Sequence, residues 1–193
     1  MIEVEAKFQV PDESALLARL QQFAGVLDFQ ETAECDEYFN HPCRDFVQTD
    51  EALRIRRSAD RVELTWKGPR LDAVTKSRHE LELLLQSSTQ TPDQQQQTLR
   101  EILLALGFVS SGIVRKRRQA LSIDWADRSF KVSVDHVEGI PLHAEIEILC
   151  MESEREEATQ QLLQLADQLQ LQNSERRSYI HLVKLAAAAD SEP

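Results

Sequence analysis

The feature that most constrains the fold is an alternation of charge with a period of two. In Ile2-Glu3-Val4-Glu5-Ala6-Lys7-Phe8 every second residue is ionisable. A β-strand sends successive side chains to opposite faces, so Glu3, Glu5 and Lys7 share one face and Ile2, Val4, Ala6 and Phe8 the other. The pattern returns along the chain. Leu53 and Ile55 oppose Arg54 and Arg56, and Val62, Leu64 and Trp66 oppose Glu63, Thr65 and Lys67. Arg78, Glu80 and Glu82 share a face, Lys116 and Arg118 another. Lys131, Ser133 and Asp135 alternate with Phe130, Val132 and Val134, and Ile146 separates Glu145 from Glu147. One such strand describes a sheet with one side in water. Some eight of them raise the question of where so many charges go.

Helices fill the intervals. Leu16, Leu17, Leu20 and Phe23, after Pro11-Asp12 and before Gly25, have helical spacing. Thr91 and Pro92 supply an N-cap and first helical position for a helix through Leu106, with Gln94 to Gln97 at its exposed start. Helical spacing recurs over 152–171 and 178–188. Residues 29–39 read as an extended segment.

The charged faces together hold seven acids, Glu3, Glu5, Glu80, Glu82, Asp135, Glu145 and Glu147, and seven bases, Lys7, Arg54, Arg56, Lys67, Arg78, Lys116 and Arg118. A chain with 33 Asp and Glu against 22 Lys and Arg would place more acids than bases on a solvated surface. Charges turned into a closed barrel must balance, because each uncompensated buried charge costs several kcal/mol. The expected fold is therefore α+β: a closed eight-stranded antiparallel β-barrel with a charged lumen and helices packed outside.

A lumen with both clusters suits a metal-bound polyphosphate. Carboxylates two apart on a strand, or opposite one another on neighbours, can converge on a hard cation such as Mg²⁺ or Mn²⁺. Arg forks match phosphate oxygens and Lys adds point charges. Without a ligand, Arg54, Arg56, Lys116 and Arg118 are expected to repel one another. The net charge of −11 speaks against a nucleic-acid binder. No apolar run reaches the length of a membrane span and the charged N-terminus lacks a signal-peptide core, so no membrane partner and a cytoplasmic location are expected. Cys35, Cys43 and Cys150 have neither disulfide nor zinc spacing and read as free thiols.

Glu3-x-Glu5-x-Lys7, Asp36-Glu37-Tyr38-Phe39, Leu53-Arg54-Ile55-Arg56, Leu64-Thr65-Trp66-Lys67-Gly68-Pro69, Lys116-Arg117-Arg118, Asp135 and Glu145-Ile146-Glu147 together resemble the CYTH family, the triphosphate tunnel metalloenzymes. That family joins CyaB-type class IV adenylyl cyclases with thiamine triphosphatases. The resemblance implies one domain over residues 1–186, followed by a tail at 187–193, and a small triphosphorylated substrate with Mg²⁺ or Mn²⁺ in the tunnel. Glu3, Glu5, Asp135, Glu145 and Glu147 fall on metal-side acids. Lys7, Arg54, Arg56, Lys67, Arg78, Lys116, Arg118 and Lys184 fall on the substrate side, and Lys67, Glu80 and Glu82 are the candidates for catalysis. Tyr179 and Lys184 match a C-terminal helix that closes over the tunnel in some members. Hydrolysis of tripolyphosphate, thiamine triphosphate or a nucleoside triphosphate, cyclisation of ATP, and binding without turnover all stay open at this point, as does a homodimer.

Overall fold

The computed structural model describes residues 2–71, 77–86 and 89–189. In chain order the elements are β1 (Ile2–Gln9), α1 (Glu13–Ala24), β2 (Gln30–Asn40), β3 (Ala52–Arg57), β4 (Val62–Lys67), β5 (Glu80–Leu85), α2 (Pro92–Ala105), β6 (Val109–Trp125), β7 (Arg128–Val137), β8 (His143–Cys150), α3 (Arg155–Gln168) and α4 (Tyr179–Ala189). All strands are antiparallel in a single curled sheet of order β1-β8-β7-β6-β2-β3-β4-β5. The expected tail at 187–193 thus begins inside α4.

The sheet curls until its edges meet. The β1–β5 seam carries one bridge among the described residues, where Arg78 N donates to Glu3 O at 3.4 Å. Further along β1 the free edge is taken by the segment before α4: Glu175 N donates to Lys7 O at 2.6 Å, and Phe8 pairs with Ser174. Unpaired edge groups need partners, and here residues from the far end of the chain supply them. Among the described residues one bridge joins β1 to the β5 side, and residues 174–175 cover the β1 edge at Lys7 and Phe8.

Outside the sheet, α1 and α3 cover β1 and β6–β8 in a core of Val4, Leu16, Leu20, Phe130, Ile146 and Leu162. The second helix covers β3 and β4 through Leu103, Ile55 and Val62. Asp12 caps α1 by accepting from Ala15 N at 3.0 Å, and Thr91 forms a capping box with Gln94 on α2. Gln95 departs from the expected exposed glutamine run: it is buried at the foot of that helix. No helix among the described residues is long and apolar enough to cross a membrane.

The fourth helix docks on the barrel rim at Gly112, which has φ +146° and faces Tyr38 across a β-bulge. A Cβ at Gly112 would lie 2.6 Å from Ile180 Cδ1. Gly112→Ala therefore puts a Cβ on a backbone that favours glycine and makes the flexible end of Ile180 shift. It is expected to cost about 1–3 kcal/mol of stability, read by urea unfolding, with faster amide exchange along α4.

Candidate active site in the barrel lumen

The period of two turns the charged residues of the strands inward, because the opposite faces of the same strands are taken by the helices. The lumen opens into a cavity of about 620 Å³. All eight cations expected on the substrate side line it, from Lys7 on β1 to the exposed Lys184 on α4. Eleven Lys and Arg but only five Asp and Glu border this space. An acidic chain has thus concentrated positive charge in one place.

These cations are not the mutually repelling set expected from the sequence. Arg56 grips Asp36 with both arms, Nε to Oδ1 at 2.7 Å and Nη2 to Oδ2 at 2.8 Å, and reaches Glu34 at 3.1 Å. Arg54 Nη1 donates to Asp36 at 3.3 Å. Lys116 lies 3.3 Å from Glu34 and 3.4 Å from Asp135. Arg118 is bidentate to Asp135, at 2.7 and 2.6 Å, and also holds Glu145 and, at 3.5 Å, Glu147. The partners come largely from β2, whose Glu34 and Asp36 face the lumen and add two acids to the seven counted along the other strands. Burial alone would raise the Asp36 carboxyl, but Arg54 and Arg56 outweigh it and hold Asp36 well below the ordinary value. Burial, with Arg118 beside it, pushes Lys116 down despite Asp135.

Asp135 is saturated. Besides Arg118 and Lys116 it accepts a 2.7 Å hydrogen bond from the Tyr179 hydroxyl. The Tyr179 ring lies under Lys7, whose Nζ is 3.9 Å from the centroid, and that same Nζ donates to Arg177 O at 2.6 Å. The C-terminal segment thereby closes one side of the lumen. Arg177 and Arg70, neither singled out from the sequence, also border the cavity, and Arg70 is bidentate to Asp50 at 2.7 and 2.6 Å.

The carboxylates expected on a metal separate into two groups. Asp135 and Glu145 are committed to Arg118, and Glu147, held by Lys131 at 3.1 Å and by Arg118 at 3.5 Å, is the direct register partner of Glu5 across β1 and β8. Burial, reinforced by Glu147, Glu80 and Glu5 and opposed by Lys67, pushes the Glu3 carboxyl well above the usual carboxylate range. Among the described residues no three His, Cys, Asp or Glu side chains stand close enough to form a ready-made metal site. The all-oxygen wall of Glu3, Glu5 and Glu147, with like charges facing across a strand pair, nonetheless fits a hard divalent ion that would relieve the crowding.

Of the three candidates for catalysis, Lys67 sits 2.6 Å from Glu80 and 3.5 Å from Glu3. Burial works against its charge, but Glu3 and Glu80 outweigh both this and Arg54 and hold its ammonium well above the ordinary value. These ion pairs favour the charged form of Lys67, which suits it to a neighbouring negative charge. Glu80 is its partner. Glu82 stands opposite the lumen-facing Thr65 in register, yet is exposed and does not border the cavity.

A sequence profile of the CYTH domain matches residues 1–179. A Methanocaldococcus jannaschii protein named "putative adenylate cyclase" is 30% identical over 185 residues, covering 94% of this chain and 98% of its own. A solved Pyrococcus horikoshii protein is 32% identical with a TM-score of 0.79, covering 95% of this chain and 98% of that one. A Hippeastrum protein, described as a "putative adenylyl cyclase" with a dominant triphosphatase activity, shares the fold at 18% identity and a TM-score of 0.63, with 95% of each chain covered. Over nearly all of its length, the chain belongs to the CYTH domain family.

Proposed function

We propose that the lumen binds a triphosphate with Mg²⁺ or Mn²⁺ and cleaves it by attack of water on phosphorus. The observation that carries this reading is that the cavity is bordered by the cations Lys7, Arg54, Arg56, Lys116 and Arg118 and by the register-paired carboxylates Glu5 and Glu147, with Glu3 two residues from Glu5 on the same face of β1. Phosphoryl transfer asks mainly for positioning and charge neutralisation. The guanidiniums of Arg54, Arg56 and Arg118 are preset by their carboxylate partners to face phosphate oxygens, and Lys67 stays charged to stabilise the leaving oxygen. A divalent ion held by Glu3, Glu5 and Glu147 would supply the remaining neutralisation. In hydrolysis the water oxygen bonds to the terminal phosphorus, the bridging P–O bond breaks, and the proton leaves with solvent.

A second reading, cyclisation of ATP to cyclic AMP and pyrophosphate, is favoured by the Methanocaldococcus jannaschii relative's name and by the cavity's apolar flank of Phe46, Val47 and Leu185, which offers room for a nucleoside. The deciding experiment incubates the protein and Mg²⁺ with ATP, thiamine triphosphate and tripolyphosphate, and measures phosphate, pyrophosphate and cyclic AMP together. Phosphate without cyclic AMP is expected. Cyclic AMP in equal amount to pyrophosphate would overturn hydrolysis in favour of cyclisation, and no product from any substrate would leave a binding module.

Glu5→Gln keeps the shape of the acid and removes one charge from the crowded wall. It is expected to raise the Mg²⁺ concentration for half-maximal turnover about tenfold, roughly 1.4 kcal/mol, while the melting temperature moves little. Unchanged Mg²⁺ dependence would contradict the assigned metal side.

A further inference from the structure

The lumen wall formed by β3 and β4 holds two buried donors with nothing to donate to. Thr65 is fully buried and borders the cavity, and its Oγ1 has no hydrogen-bond partner. Its register partner on β3 is Arg54. The Arg54 Nη1 reaches Asp36 and its side chain also hydrogen-bonds Tyr38, but its Nε is buried and equally without a partner. Buried polar groups in folded proteins are nearly always paired, and an orphaned one opposes folding. Nothing in the packing asks for a hydroxyl here. Valine has the shape of threonine and suits a strand at least as well, so a purely structural wall would be more stable with it.

The surrounding acceptors are already engaged. Asp36 is held by Arg54 and Arg56, and Glu80 and Glu3 by Lys67, two residues along the same face of β4. Two adjacent uncommitted donors that look into one cavity call for an acceptor that arrives from outside. A phosphoryl oxygen has the charge and the lone pairs to take both.

We propose that Thr65 Oγ1 and Arg54 Nε form a seat for one phosphoryl oxygen of the bound polyphosphate, with Thr65 as a ligand-binding residue. The inference rests on the triphosphate reading of the cavity and adds to it the wall against which the chain of phosphates lies. A neutral hydroxyl adds direction without further repulsion among the cations, and at a fixed distance from the strand it selects where along the tunnel a phosphoryl group stops.

The test compares wild type, Thr65→Val and Thr65→Ser by unliganded melting temperature and by calorimetric affinity for tripolyphosphate with Mg²⁺. A seat predicts opposite signs for the two readouts. Thr65→Val should melt at the wild-type temperature or a few degrees higher, since it removes an orphaned donor at constant volume, and should bind at least tenfold more weakly. Thr65→Ser keeps the donor and should bind within threefold of wild type. A Thr65→Val protein that melts lower and binds normally would show a structural hydroxyl and overturn the proposal, as would one unchanged in both. A wild type that fails to bind tripolyphosphate would overturn the triphosphate reading itself, a failure distinct from that of the seat.

Discussion

Arg118→Ala is expected to lose about 3–5 kcal/mol of stability, the usual consequence of removing one partner from a buried charge network. At the scale of a domain this size that is a fall of roughly 6–20 °C in melting temperature. The reason lies in its contacts. Arg118 alone satisfies Asp135 in two-point fashion while holding Glu145 and Glu147, and all four side chains come from neighbouring strands of the lumen. After its removal Lys116 remains for Asp135 and Lys131, at 3.1 Å, for Glu147, but Glu145 loses its guanidinium partner. Differential scanning calorimetry reads the effect directly. A melting temperature within two degrees of wild type would mean that the network is not what holds β6, β7 and β8 in register.

Asp36→Asn is expected to cost a similar amount, about 3–5 kcal/mol, for the opposite reason: Arg54 and Arg56 lose the carboxylate between them. Tripolyphosphate should then recover part of the loss, so the thermal shift on adding ligand should be larger in Asp36→Asn than in wild type. The pH dependence carries a second signature. Because the Asp36 carboxyl is held below its ordinary value, its stabilisation is complete above the unfolded-state pKa, about 3.9, and is lost as pH falls through the lower folded value. Wild type should lose stability on acidification below about pH 4, and Asp36→Asn should lose less over the same interval. Equal acid limbs in the two proteins would show that the Asp36–Arg56 pair contributes little. Arg56→Ala breaks the same pair from the other side and is expected to destabilise, contrary to the expectation for free, repelling cations.

Most strands were legible because their outer faces are cleanly apolar. In β1, β3 and β8 buried Val4, Phe8, Ile55, Ile146 and Ile148 follow charged residues, and the period of two is plain. The second strand hides its inward face because Glu37, on the outward side, is also charged. It is buried against α2, where Arg100 holds it at 3.1 Å. With charge on both faces the alternation of Thr32, Glu34, Asp36 and Tyr38 carries no contrast, so Glu34 and Asp36 escaped the inventory. The equality of acids and bases therefore led to a barrel from an incomplete count. The alternation around Lys116 and Arg118 belongs to one 17-residue strand, β6, and the contacts of Ser174 and Glu175 with β1 join residues more than 160 positions apart. Local patterning carries no sign of such a contact. Lys67 was legible as a lumen cation, but what favours its charged form is seen only in the distances to Glu80 and Glu3.

Whether the lumen takes a polyphosphate is the central question for this protein. Calorimetric titration of the unliganded protein with tripolyphosphate, with and without Mg²⁺ and beside inorganic monophosphate, measures this without reference to the reaction. One saturable site per chain is expected, tighter with Mg²⁺. A ligand present at a hundred times its dissociation constant should stabilise the protein by about 2.7 kcal/mol, while monophosphate, which reaches only part of the cation wall, should do far less. No heat and no thermal shift with tripolyphosphate, in a protein that unfolds when Arg118 is removed, would mean that the lumen charges hold the barrel together and bind nothing.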